Sequence, residues 1–247
     1  MPRSRPLLKS PSELRVHVPP DAVTTAFVCS AGSDRAGATL MLAHGAGAGQ
    51  QSAFITGFAR AIAALGVDVV TFNFLYTEQR RRLPDRAPLL EGCYRAMIAA
   101  VREQVDSAQR ALFIGGKSMG GRIATQVAAA DRHDDDQIAG LVLLGYPLHP
   151  PGRPEQRRDA HLPAVKRPML FVQGERDTFG TPAELAPVLA TLAPQPTLHV
   201  VAGGDHSLKL SRRDAAAQAA VYDAVQRTVV EWITTLNSQG STVSVET

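Results

Sequence analysis

The sequence is short of aromatics, short of cysteine and nearly balanced in charge. Of its 247 residues 5% are aromatic, two are cysteine, and the formal net charge is +3. Each shortage removes a class of protein. A nucleic-acid binder presents a concentrated basic stripe interleaved with aromatics that stack on bases. The one dense basic run here, Arg80-Arg81-Arg82, has no such aromatic pattern, so nucleic acid is not an expected partner. Cys29 and Cys93 lie far apart without C-x-x-C spacing, each beside apolar residues, and read as small buried hydrophobes rather than a disulfide. No H-x-x-H, H-E-x-x-H or clustered His/Cys spacing offers a metal site, and no cofactor is expected. No apolar run is long enough to cross a bilayer, and the basic opening at 1–6 is not followed by the apolar stretch of a secretory signal. These absences lead to the expectation of a soluble, cytoplasmic protein without membrane insertion.

What is present is a regular alternation. Apolar residues make up 45% of the chain, enough to bury a sizeable core in one domain. The stretches 14–18 and 24–29 read as an antiparallel pair at a sheet edge. Apolar runs at 39–43 and 138–144 then read as strands covered on both faces, a mostly apolar run at 67–74 reads as another strand, and 111–115, 168–173 and 197–201 read as further strands. Helical spacing at 54–65, 89–105, 120–130, 182–192 and 214–236 separates them. The expected fold is α/β, a mainly parallel sheet with helices on both faces. One domain over 14–236 is expected, with loose termini at 1–13 and 237–247. The stretch 145–163 carries five prolines and reads as a long irregular loop. It leaves no room for a large lid domain before the next strand.

Ligands of such sheets bind beyond the carboxyl ends of the strands, and three of these ends carry chemistry. After the strand at 111–115, Gly116-Lys117-Ser118-Met119-Gly120 fits the G-x-S-x-G nucleophile elbow, a tight strand-to-helix turn that lifts the serine hydroxyl clear of the backbone. After 168–173 come Glu175 and Asp177, and after 197–201 come Asp205 and His206. A serine hydroxyl is a poor nucleophile until an imidazole takes its proton, and a carboxylate behind the imidazole holds the working tautomer. The order nucleophile, acid, base assigns Ser118, Asp177 and His206. Glu175 and Asp205 compete for the acid role, but Asp205 adjoins His206, and chain neighbours point apart. The loop His44-Gly45-Ala46 supplies small residues beside the site, and the amides of Ala46 and Met119 are the natural oxyanion donors.

These residues carry a resemblance. With Gly145-Tyr146-Pro147-Leu148-His149-Pro150 and Gly203-Gly204-Asp205-His206-Ser207, they make the chain resemble an α/β-hydrolase over most of its length. More narrowly, it is similar to a small dienelactone-hydrolase-like family that includes a testis-expressed protein and a subunit of the NSL histone acetyltransferase complex. The resemblance implies a hydrolase fold with largely undefined substrates.

The expected function is a serine hydrolase cleaving an ester, thioester or similar acyl bond of a small-molecule substrate through an acyl-enzyme. Two alternatives stand beside it: a non-catalytic binding or scaffold module, and a peptidase or amidase using the same triad. Substrate contacts are expected from His44, Arg82, Arg86, His149 and His161. For His44 a structural role in its loop competes, and for the arginines a solvated loop does. Lys117 and Arg122, on either side of the elbow, read as residues that need not touch the chemistry.

Overall fold

The computed structural model describes residues 10–32, 35–130, 138–211 and 214–242. Eight strands form one sheet in the order β1-β2-β4-β3-β5-β6-β7-β8. β1 (Ser12–Val18) and β2 (Ala22–Cys29) pair antiparallel, and β2 meets β4 (Asp68–Phe72) antiparallel. From there β3 (Thr39–Ala43), β5 (Leu112–Lys117), β6 (Ile138–Leu144), β7 (Met169–Gly174) and β8 (Thr197–Val201) all run parallel. The expected α/β architecture is the one present. Among the described residues no inserted lid domain separates β6 from β7, only irregular chain and a single 3-10 turn at Leu162–Ala164. No helix among them is long and apolar enough to cross a membrane.

The apolar strands are buried because each alternates its side chains between two helical layers. In β3, Leu40 and Leu42 join a cluster with Ile55, Phe58 and Ile62 of α1 (Ala53–Ala64) and Val225, Val229 and Ile233 of α7 (Ala215–Thr242). Met41 and Ala43 point the other way, into a cluster with Tyr94, Met97 and Val101 of α3 (Ala87–Gln104) and Ile123 and Val127 of α5 (Met119–Ala129). Two one-turn helices, α2 (Leu75–Glu78) and α4 (Asp106–Arg110), are too short to show periodicity. α6 (Pro182–Leu189) opens on a complete capping box, Thr181 with Glu184.

The ends of the domain differ from expectation. β1 begins at Ser12, paired with Val28, inside the stretch expected to be loose. The last helix continues through Asn237 to Thr242, where a loose tail was expected from 237. Polarity misled there, because Asn237 Nδ2 donates to Ala36 O at 2.7 Å and ties that turn to the chain before β3. Residues 1–9 and 243–247 lie outside the described residues.

Candidate active site

The carboxyl ends of β3, β5, β7 and β8 bring the expected residues together. Ser118 is the N-cap of α5, at φ 51° and ψ −115°, a left-handed conformation that a non-glycine residue adopts only when its surroundings impose it. Those surroundings are close-packed. A Cβ on Gly116 would lie 2.5 Å from Ala43 O and 2.9 Å from Gly120 C, and one on Gly120 would lie 2.6 Å from Ala43 O. The elbow's two glycines thus let β5 and α5 press against the end of β3. Ser118 N donates to Leu144 O at 2.9 Å, fixing the turn to β6 as well.

His206 Nε2 sits 2.8 Å from Ser118 Oγ, and His206 Nδ1 sits 3.0 and 2.8 Å from the two carboxylate oxygens of Asp177. The carboxylate cannot donate, so Nδ1 carries the proton and Nε2 is free to accept from the serine. Asp177 is itself held: Oδ1 accepts from Phe179 N at 2.8 Å and Oδ2 from Gln173 Nε2 at 2.8 Å. Its side chain is fully buried, while that of His206 is 19% exposed. The Phe179 ring stacks on the imidazole, 4.1 Å between centroids. The competing acids are committed elsewhere. Glu175 accepts from Gly203 N at 2.7 Å, and Asp205 accepts from Ser207 N and Lys209 N.

The loop after β3 is set by His44. Its Nε2 faces the Phe74 amide, which can only donate, at 3.2 Å, and its Nδ1 faces Gly45 O, which can only accept, at 2.8 Å. The ring is therefore neutral with its proton on Nδ1, and burial pushes its pKa down, partly opposed by the bond to Gly45. Gly45 O also takes Ala48 N at 3.3 Å. In a trans peptide the C=O and the following N–H point opposite ways, so fixing Gly45 O also fixes the Ala46 N–H. The Tyr76 hydroxyl holds Ala46 O at 3.0 Å. Met119 opens α5, whose first amides lack intrahelical acceptors.

A cavity of about 570 Å3 opens onto Ser118 and His206 and is bounded by Ala46, Met119, Phe54 and Leu90. None of the five residues expected to contact substrate lines it. His44 is wholly buried, with both nitrogens bonded in its own loop. His149 is buried between Pro150 O and Glu184 Oε1, at 2.9 and 3.1 Å. His161 bonds Thr125 Oγ1 at 2.8 Å. Arg82 and Arg86 are exposed, because their loop turns Pro84, Asp85 and Ala87 toward the cavity instead. The cationic wall comes from Lys117, Arg122, Arg158 and Lys209. Arg122 was legible in principle: it lies one helical turn past Ser118, and residues four apart share a face. Gln173, a buried amide ending an apolar strand, was a second signal passed over.

Lys117 donates from Nζ to His206 O at 2.5 Å. Burial lowers its pKa to about 8 from 10.5, against the pull of Asp177 and Asp205. A lysine whose folded pKa is depressed binds fewer protons folded than unfolded, so its penalty is full below about pH 8 and is relieved as pH rises toward 10.5. Relative to Lys117→Met, the wild type should therefore gain about 1–3 kcal/mol of stability between pH 7 and 10. Urea unfolding of both proteins across that range measures it. The buried Tyr94, Tyr146 and Cys93, whose pKa values burial raises, act in the opposite direction but equally in both proteins. A difference that stays flat with pH would contradict the assignment.

Among the described residues no cluster of His, Cys, Asp or Glu could hold a metal ion. A family model described as an alpha/beta hydrolase domain matches residues 36–234. Among solved structures, the chain is similar to an α/β serine hydrolase without a lid from Xanthomonas campestris, at 24% identity over 91% of this chain and 96% of that one, with a TM-score of 0.70. It is also similar to a dienelactone hydrolase from Anabaena variabilis, at 19% identity over 89% and 97% with a TM-score of 0.66. Est1E of Butyrivibrio proteoclasticus, solved with ferulic acid bound, aligns at 13% identity over 88% and 98% with a TM-score of 0.67. At these identities the structural likenesses speak to the fold.

Proposed function

The chain belongs to the alpha/beta hydrolase domain family, and from that premise we propose that it is a serine hydrolase cleaving an ester, thioester or similar acyl bond through an acyl-enzyme. The fold alone does not carry this, since the same architecture hosts many functions. The observation that carries it is the unbroken line from Ser118 Oγ through His206 to a buried Asp177, at 2.8 Å on each side of the imidazole, opening on one cavity.

In this reading Ser118 Oγ attacks the substrate carbonyl as its proton passes to His206 Nε2. Asp177 keeps the imidazole in the Nδ1–H tautomer and stabilises the imidazolium that forms. The amides of Ala46 and Met119 receive the oxyanion, and His44 holds the first of them through Gly45 O. Such preset donors are worth roughly 2.7–4 kcal/mol each. The tetrahedral adduct collapses with transfer of the Nε2 proton to the leaving group, and water then attacks the acyl-serine with His206 again as base. An open cavity without an inserted lid favours small or accessible acyl compounds as substrates.

Labelling with a fluorophosphonate probe tests the reading directly. Wild type should take one label per chain within minutes, and Ser118→Ala none. Folded wild type that takes no label, or equal labelling of both proteins, would point instead to a hydrolase fold kept as a binding module.

A further inference from the structure

We propose that Lys117 is a positioning residue: from the strand end that carries the nucleophile, its ammonium group holds the main chain of His206 and so keeps the base over Ser118. The role rests on the serine hydrolase reading and adds to it the part that aligns the triad.

The base needs a holder. His206 follows β8 at the edge of the sheet, and β6 and β7 lie between that strand and β5. Asp177 fixes the Nδ1 edge of the imidazole, but the ring is aimed at Ser118 only if the backbone that carries it is fixed too. The bonds of the loop itself tie residues on either side of His206. Asp205 N donates to Lys209 O at 2.9 Å, Leu208 N to Asp205 O at 2.8 Å, and the Tyr222 hydroxyl to Ser207 O at 3.2 Å. Among the described residues no backbone amide reaches His206 O. Lys117 Nζ does, at 2.5 Å and from 89 positions away. The carbonyl is also seated. A Cβ on Gly145, after β6, would lie 2.7 Å from His206 O and 3.5 Å from Lys117 Nζ, so the missing side chain leaves a notch where carbonyl and ammonium meet. The stem of Lys117 is confined as well. Its Cγ would lie 3.7 Å from a Cβ on Gly45, in the loop that carries Ala46, and Nζ stands 5.7 Å from the centre of the Phe54 ring. One side chain, next in sequence to the nucleophile, thereby touches both the base and the oxyanion loop.

Lys117 is buried, and burying an ammonium is costly where an apolar side chain of similar length would avoid the cost. The charge has a use, because a charge-assisted hydrogen bond is roughly twice as strong as a neutral one. The charged groups that face it come from two loops. Asp177 after β7 and Asp205 after β8 favour the ammonium, and Lys209 after β8 opposes it. His206 is the group it holds, and Arg122 and Arg158 line the same cavity. Phe54 and Gly145 bring no charge. Burial outweighs the two carboxylates, so the proton is lost near pH 8. Above that pH the neutral amine is the weaker holder, while the fold itself is relieved of a buried charge. Alignment of the triad and stability of the fold therefore move in opposite directions across one range of pH.

The rate of fluorophosphonate labelling, followed against probe concentration, gives a maximal rate and a half-saturating concentration for wild type and Lys117→Met. Labelling forms the Ser118 Oγ–P bond and expels fluoride while the serine proton passes to His206, so it reads the alignment without the natural substrate. At about pH 7 the variant should lose about 10- to 100-fold in maximal rate, with the half-saturating concentration within about threefold. In wild type the maximal rate should fall along an alkaline limb near pH 8, and Lys117→Met should lack that limb. A lysine that only filled space would lose rate where the fold loses stability, not where it gains it. Equal maximal rates in the two proteins, or an alkaline limb retained by Lys117→Met, would overturn the proposal and leave the hydrolase reading standing. If Lys117→Met does not fold, wild type decides alone. A limb near pH 8 supports the role, and a level rate from about pH 7 to 10 rejects it. Folded wild type that takes no label ends the hydrolase reading, and the positioning role with it.

Discussion

Ser118→Ala and His206→Ala are each expected to lower kcat/KM on any ester the protein turns over by about 10^4–10^6-fold, and the double variant is expected to be no slower than the worse of the two. The reason is geometric. A serine hydroxyl 2.8 Å from the imidazole is reactive only while that imidazole can take its proton, and the imidazole has no other partner to activate, so the two act as one unit. What survives is the contribution of oxyanion donors and substrate binding, worth roughly 10^3–10^4 over water in comparable sites. Substrate screening followed by single-turnover kinetics on the three variants measures it. If the effects of the two single substitutions multiplied in the double variant, Ser118 and His206 would be acting independently, and the triad would not be the catalytic device.

Gly115→Ala is expected to cost more stability than any other single methyl added near the site, at least about 4 kcal/mol and a large part of the 5–15 kcal/mol that holds a domain together. A Cβ at this position would stand 1.9 Å from Val142 O and 2.8 Å from Val142 C, backbone atoms of the adjacent central strand. Neither strand can give way, because β5 lies between β3 and β6 with its residues buried throughout. Both polar groups of Gly115 meet one partner: the Tyr94 hydroxyl donates to Gly115 O at 2.7 Å and accepts from Gly115 N at 3.0 Å. Tyr94 is wholly buried, so this brace operates without water. Chemical denaturation of Gly115→Ala should show the loss, or the variant should fail to accumulate in folded form. Ala at this position with an unchanged midpoint would mean that β5 and β6 can separate.

Much of this architecture was open to inspection in the residues themselves. The strands at 39–43 and 138–144 could be read because both of their faces are apolar, which follows from helices on either side. Ser118, Asp177 and His206 could be placed because each follows a strand, and strand ends share one edge of a parallel sheet. Which side chains line the cavity could not be read in the same way. Arg82 and Arg86 follow a strand too, yet their loop turns them outward, and no period in the sequence encodes which way an irregular loop faces. His44 was legible as a loop residue, but its partner Phe74 lies 30 positions on, after the following strand. Asn237 looked like the start of a frayed tail because its contact with Ala36 spans 201 positions. What escaped the sequence was long-range pairing of polar side chains with backbone, which leaves no periodic trace.

In the proposed mechanism the nucleophile lies far from its base along the chain, and that has a consequence for how the protein is made. Ser118 and His206 are 88 residues apart, and the base belongs to the loop after the last strand. At synthesis rates of about 5–20 residues per second, the elbow leaves the ribosome on the order of 5–20 s before the residue that activates it. Throughout that interval the growing chain carries an ordinary, unreactive serine. The same holds for any fragment cut short before β8. On that mechanism, a site that needs β8 in place stays silent in every incomplete copy, and the serine gains its reactivity only when the domain is complete.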